Sequence, residues 1–254
     1  VYNFKGGDDS ILLEKGSEVG NSGRLVFKGA GLRKTRFVTA DPTATAIRSV
    51  DWKHLTFSGI HFARNYITVS QGEVLQAGPG IVKLRLHKGF PDPLKLAKIP
   101  GKRDFQGKYL RKYDGDMKDP KILLRTNPQI AWDMHKSSID GDVVTFILRG
   151  MGAVRPPFRR GDQLAVKCKH GGQAYYFAGG DDIVFEDCLW THQTRGVLRK
   201  GINNIRFTRC RIERLPAIDG RVPFLASPGG GPQIGQPKDP DVSGVVVEEC
   251  HFVA

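Results

Sequence analysis

The chain has 254 residues, 39% of them hydrophobic, with 31 glycines and 15 prolines. That composition supplies a sizeable core and many turns and excludes a disordered chain. The formal charge of +13 points either to an anionic partner, such as a sulfated or uronic glycan, nucleic acid or anionic lipid, or to a solvated basic surface.

In chain order, Val1-Tyr-Asn-Phe and Ser10-Ile-Leu-Leu read as strands, with Gly6-Gly-Asp-Asp9 as a turn. Further strands centre on Leu25–Phe27, Phe37-Val38 and Leu55–Phe62, and Ile67–Ser70 ends this run. From Gln71 the pattern changes to the alternation of antiparallel strands: Glu73–Ala77, Gly80–His87, Pro120–Arg125, Asp142–Leu148 and Gln163–Cys168. Loops rich in proline and glycine separate them, at Phe90–Pro93, Ile99–Lys102 and Val154–Phe158. This middle segment, Gln71–Ala165, carries 18 Lys+Arg against 10 Asp+Glu and is the most basic part of the chain. No long amphipathic helix is predicted, and no apolar run is long enough to span a membrane.

Five stretches fit one nine-residue template: Arg24–Leu32, His54–Phe62, Asp182–Trp190, Asn204–Ile212 and Gly244–Phe252. The second, fourth, seventh and ninth places are apolar or small, and the rest are mostly polar. Two period-two strands joined by a short bend give this pattern, because alternate side chains face one interior. Its recurrence predicts stacked coils, each burying its apolar row on the next. The expected fold is all-β: a right-handed parallel β-helix (pectin-lyase-like) with an inserted small antiparallel β-barrel. The expected divisions are residues 1–70 as N-terminal coils, 71–165 as the insert and 166–254 as continuing coils. Strand-like sequence at both ends reads as a processed product or a piece of a longer solenoid.

Cys188, Cys210 and Cys250 share the seventh template place, where Ala30 and Ile60 stand in the earlier repeats. The expectation is a column of buried thiols acting as small apolar fillers, with disulfides as the alternative. No Cys spacing suits a metal, no phosphate-binding loop or nucleophile elbow is present, and no nucleic-acid motif accompanies the positive charge. No metal, cofactor, nucleic-acid partner or membrane span is therefore expected.

Three segments together resemble a known family. Thr68-Val-Ser-Gln-Gly-Glu-Val74 with Lys88-Gly-Phe-Pro91 resembles the edge where a β-barrel enters a β-helix, and Arg160-Gly-Asp-Gln-Leu-Ala-Val166 the strand that closes such a barrel. Asp182–Ile212 is similar to the two coils that follow. This is the layout of the α-1,3-galactosidase β-helix glycoside hydrolases (glycoside hydrolase family 110). The resemblance implies a secreted or periplasmic, carbohydrate-active protein whose partner is a poly- or oligosaccharide. It also implies inverting catalysis by aspartates. Those aspartates are not matched: Gly230 stands at one of their places, and Gln233 where the family has a histidine.

The remaining candidates come from the loops after the coils, near residues 190–199 and 213–243. Asp219 is a catalytic carboxylate or, with Gly220, a turn residue. His192 is a general acid or base, or a solvated loop histidine. Trp190 stacks on a sugar or fills the core at its inward template place. Gln193 and Gln233 offer hydrogen bonds, and Arg195, Arg199 and Arg221 can fork onto carboxylates or sulfates. The Asp181-Asp182 doublet sits at a turn into a coil, where capping is the expected role. Three functions follow: a glycoside hydrolase, a polysaccharide lyase on an anionic glycan, or a non-catalytic glycan-binding or structural solenoid.

Overall fold

The computed structural model describes residues 2–4, 9–13, 23–41, 44–64, 67–98, 109–114, 124–150, 154, 156–168, 173–192, 196–225 and 232–252. The chain begins with β1 (Tyr2–Phe4), β2 (Asp9–Leu13), β3 (Leu25–Lys28), β4 (Thr35–Thr39), β5 (Thr45–Val50), β6 (Lys53–Ser58) and β7 (Ile60–Arg64). Next come β8 (Val69–Gly78), β9 (Ile81–Leu86), a short helix α1 (Pro93–Lys98), β10 (Tyr109–Asp114), β11 (Leu124–Asp140), β12 (Val143–Leu148) and β13 (Gln163–Lys167). The last run is β14 (Tyr175–Ala178), β15 (Asp181–Glu186), β16 (Leu189–Thr191), β17 (Val197–Arg199), β18 (Asn203–Thr208), β19 (Arg211–Glu213), β20 (Gln233–Ile234), β21 (Ser243–Glu248) and β22 (His251–Phe252).

These strands form two compact units: Val1–Tyr66 with Gly171–Arg214 and Gly229–Ala254, and Ile67–His170 with Leu215–Pro228. In the first unit three sheets contain only parallel pairings. Sheet A runs β1-β4-β7-β16-β19-β22, sheet B runs β2-β5-β14-β17-β20, and sheet C runs β3-β6-β15-β18-β21. The chain visits the sheets in turn, and with each pass through B, C and A taken as one coil the apolar template places fall into register across coils. In sheet C the fourth place gives the row Phe27, Phe57, Phe185, Phe207, Val247, and its four rings stack at 4.9, 5.1 and 5.1 Å. In sheet A the row is Phe37, Phe62, Trp190, Ile212, Phe252. Aromatic stacking of this kind adds to area burial and favours in-register coils.

The bend between sheets C and A is fixed by one left-handed residue per coil: Gly59, Asp187, Arg209 and Glu249, at φ 66°, 50°, 51° and 52°. Glycine suits that conformation and the others meet a steric cost there. The bend amides offset part of it by donating across coils, from Gly59 to Glu186 O, Asp187 to Thr208 O and Arg209 to Glu248 O, each at 3.0 Å. Just inside the bend, the Cys210 thiol donates to Phe185 O at 3.4 Å and its amide donates to Cys250 Sγ at 3.3 Å. The four cysteines form no disulfide. A hydrogen bond with Cys188, then burial, pushes the Cys210 thiol well up from its ordinary range, as suits a packing residue.

The first repeat differs from its template reading. Phe37 pairs with Phe62 and Thr35 with Ile60, so Thr35 and Phe37 hold the seventh and ninth places. Ala30 and Leu32 belong to a widened bend, Gly29–Lys34, closed by the Ala30 amide on Thr35 Oγ1 at 2.8 Å.

The second unit is a closed antiparallel ring in the order β10-β11-β12-β9-β8-β13. Five of its six strands overlap those read from the sequence; β10 was not foreseen, and Pro120–Leu123 lie outside the described residues. Its interior holds Val74, Leu84, Leu110, Trp132, Phe146 and Leu164. Helix α1 follows from Asp92-Pro93: the Asp92 carboxylate accepts the Leu94 amide at 2.7 Å, and proline suits the first turn. The segment Leu215–Pro228, expected among the continuing coils, groups with the ring. There the buried Gln71 side chain donates to Val222 O at 3.1 Å and accepts the Phe224 amide at 2.8 Å. Phe224 stacks on Tyr113 at 5.2 Å.

Candidate functional site

At the turns from sheet B into sheet C the coils leave an open polar groove of roughly 880 Å³. Asp51, Lys53, Gly180, Asp181, Gly201, Asn203, Asn204 and Ser243 line it. Its long side is an in-register column, Lys53, Asp181, Asn203, Ser243, contributed by β6, β15, β18 and β21. Adjacent strands lie about 4.8 Å apart, so the column spaces four polar side chains at even intervals across the coils.

The turns that make the groove require their residue types. Gly180 sits at φ 101°, and a Cβ there would lie 2.2 Å from Trp52 O. Gly201 is at φ 72°. Asp51 is left-handed at φ 54°, and its amide donates to Ala178 O at 2.9 Å, which stacks one turn on the next.

Hydrogen bonds hold the column's side chains. Asn204 Nδ2 donates to Asp181 Oδ1 at 2.8 Å, and Ser243 Oγ donates to Asn203 Oδ1 at 2.5 Å. The adjacent Asp182 turns away: His54 Nδ1 lies 2.8 Å from its carboxylate, and Arg24 pairs with the same oxygen. The His54 hydrogen bond, with Arg24, holds the Asp182 carboxyl below the usual carboxylate range. The doublet therefore divides, with Asp182 tied at the corner and Asp181 facing the groove. One lysine against two aspartates gives the lining a net charge of −1, opposite in sign to the chain's +13.

The residues nominated from sequence fall elsewhere. Trp190 is 3% exposed and stacks on Phe62 at 5.5 Å and 15°, in the core of the parallel-sheet unit. His192 is 1% exposed, so the solvated-loop reading fails. Burial, then the Arg64 charge, pushes its pKa down to about 4 and keeps the ring neutral. Arg199 forks onto Asp239 at 2.6 and 2.8 Å, so its two-pronged face is engaged by this chain's own carboxylate. Gln233 belongs to β20 and pairs with Val197. Asp219 and Arg221 lie in the ring unit, on a tight turn closed by reciprocal 2.9 Å bonds between Ile218 and Arg221. Asp219 and Gly220 are left-handed at φ 48° and 73°, as a type I′ turn demands, and Lys88 Nζ is 3.4 Å from Asp219. Gln193 and Arg195 lie outside the described residues. Among the described residues no group of three or more His, Cys, Asp or Glu could hold a metal ion, and no helix is long and apolar enough to cross a membrane.

A second polar cluster, also missed from sequence, lies on the outward face of sheet A. His61 Nε2 and Thr191 Oγ1 share a 2.8 Å hydrogen bond, and both residues are buried. Glu213 accepts from Arg33 at 2.5 Å and lies 3.8 Å from Arg211. Burial, then the charges of Arg36 and Arg33, lowers the His61 pKa to about 4, against an opposing pull from Glu213.

Both sets had a sequence signal. The groove column is the residue immediately before each template, and His61 and Arg211 occupy the outward eighth place between two inward ones. No protein-family model matches the chain, and no curated protein matches it.

Proposed function

We propose that the three parallel sheets are the faces of a right-handed parallel β-helix of the pectin-lyase-like type, with the ring as its barrel insert, and that the protein is a glycoside hydrolase. The observation that carries this reading is the in-register column Lys53, Asp181, Asn203, Ser243 beside a second carboxylate, Asp51, in one open groove. An evenly spaced ammonium, carboxylate, amide and hydroxyl match the hydroxyls of an extended glycan laid across the coils. The polar lining separates the groove from the mostly apolar sites that take drug-like ligands.

Hydrolysis needs two carboxylates flanking the scissile bond, one to protonate the leaving oxygen and one to activate water. Asp51 and Asp181 lie on adjacent coils, two residues apart along the register. At about 3.3 Å per residue and 4.8 Å between strands, their Cα atoms are at most about 8 Å apart. Cα atoms this close on adjacent coils permit the roughly 6.5–9.5 Å between carboxyl groups that inversion needs to leave room for water. In this reading Asp181, oriented by the Asn204 amide, activates water and Asp51 protonates the leaving group. Such work belongs to a secreted or periplasmic protein acting on an oligo- or polysaccharide.

The test is release of reducing ends from a panel of neutral oligosaccharides by the full chain. Asp51→Asn and Asp181→Asn are each expected to lower release by about 10²–10⁴-fold while glycan binding persists. Unchanged activity in both variants, or no binding and no product across the panel, overturns the reading.

A further inference from the structure

The outward face of sheet A carries chemistry that the groove does not use. Arg36 and His61 are register partners on β4 and β7, and Arg211 lies in the same column beyond Leu189. Arg33 and Arg211 converge on one carboxylate, Glu213, whose side chain is 24% exposed. Both arginines are solvent-accessible, at 67% and 55%. Arg36 is exposed and has no ion-pair partner among the described residues. Two guanidinium groups thus share one carboxylate, the charges of Arg36, Arg33 and Glu213 all act on His61, and His61 is neutral.

We propose that Arg33, Arg36 and Arg211 form a binding site for an anionic group, a carboxylate or sulfate, in which Glu213 is the internal occupant. Guanidinium forks recognise planar and tetrahedral oxyanions by charge-assisted hydrogen bonds. Glu213 shows that two of these guanidiniums already hold a carboxylate. An external anion binds Arg36 directly and competes with Glu213 for Arg33 and Arg211. His61 and Thr191 are buried beside these arginines and bonded to each other, and the imidazole, held neutral, adds no charge to the site. The site is distinct from the groove and does not depend on the groove's function.

The experiment is calorimetric titration of the full chain at low salt with three probes: inorganic sulfate, a uronic-acid oligosaccharide and a neutral oligosaccharide of equal length. Sulfate and the uronate are expected to bind. Arg36→Ala should weaken both by about tenfold or more, in line with the loss of one charge-assisted contact. Glu213→Gln should strengthen both by several-fold, because it removes the competing internal charge. A purely structural role for the cluster predicts no such gain. Tighter binding of the uronate than of sulfate assigns the anion to a glycan, and the reverse assigns it to a free inorganic anion. Anion binding that ignores both substitutions, or a neutral oligosaccharide competing equally for the site, overturns the proposal. Asp181→Asn should leave anion binding unchanged, so a failure here is separable from a failure of the groove.

Discussion

His192 offers a quantitative test of how the parallel-sheet unit is built. Its ring is 1% exposed, and burial with the nearby Arg64 charge lowers its pKa from 6.5 to about 4. The folded value lies below the unfolded one, so the unfolded chain binds the extra proton between these values. Stability from the neutral ring is therefore fully present above pH 6.5 and is lost as pH falls toward 4. Each pKa unit corresponds to about 1.4 kcal/mol, so lowering the pH from 7.5 to 5 costs about 2 kcal/mol at this one residue. His61, also lowered to about 4, adds in the same direction within the same unit. The perturbation is His192→Asn, because the backbone there is left-handed at φ 53° and asparagine tolerates that region. Urea unfolding at pH 7.5 and pH 5, followed by near-ultraviolet circular dichroism, gives the stability difference for each protein. The variant should lose about 2 kcal/mol less than the parent over this interval. An equal loss in both would show that His192 is not held neutral in the interior.

Three further substitutions test the packing. Phe185 is fully buried between Phe57 and Phe207 in the stacked row, so Phe185→Ala should cost about 3–5 kcal/mol in urea unfolding; a loss under about 1 kcal/mol would mean the row does not carry the core. Gly180→Ala places a Cβ 2.2 Å from Trp52 O at φ 101° and should lower the melting temperature and disturb ligand binding in the groove, whereas Gly23→Ala, with nothing within 4 Å, should do neither. Gln71→Leu removes the donor to the part-buried Val222 O and the acceptor for the buried Phe224 amide, the latter loss alone costing about 1–3 kcal/mol; limited proteolysis should then cut the segment around 218–225 faster than in the parent, and an unchanged rate would show that Gln71 does not hold it.

The parallel rows were legible because inward template places must be apolar in every coil, and Leu55, Phe57, Ile60 and Phe62 meet that rule without exception. The first repeat misled because its widened bend, Gly29–Lys34, supplies Ala30 and Leu32 at the spacing a strand would use. Sequence alone cannot separate an apolar residue in a bend from one in a strand when both fall on even spacing. Strand β10 was invisible for a related reason: Tyr109–Asp114 alternates only weakly, and its partners Ala131 and Val166 lie far along the chain. The nominated site residues came from loops, where no periodicity constrains direction. Trp190 is the exception, since its ninth template place is inward and its ring is 3% exposed in the core, the alternative read from the sequence; His192, beyond the template, had no such guide and is 1% exposed.

The groove has its physical origin in the repeat. Stacking in register turns any polar place of the repeat into a column, so a single substitution pattern repeated over four coils becomes a surface of even spacing. Which columns are free to carry chemistry is decided by the turns. At the C-to-A bend, Arg209 is bound to Glu186 and Asp187 at 2.6 and 2.8 Å, and that column is spent on pinning neighbouring coils. At the B-to-C turn, Gly179, Gly180 and Gly201 remove side-chain bulk, and the polar residues that follow them are left facing a concavity. The sheet A cluster arises differently, from arginines on separate coils brought beside one carboxylate. A chain with a charge of +13 therefore presents one groove of net −1 and one patch of net positive charge. Charge steers anionic groups to the patch and away from the groove, which leaves the groove to uncharged, hydroxyl-rich ones.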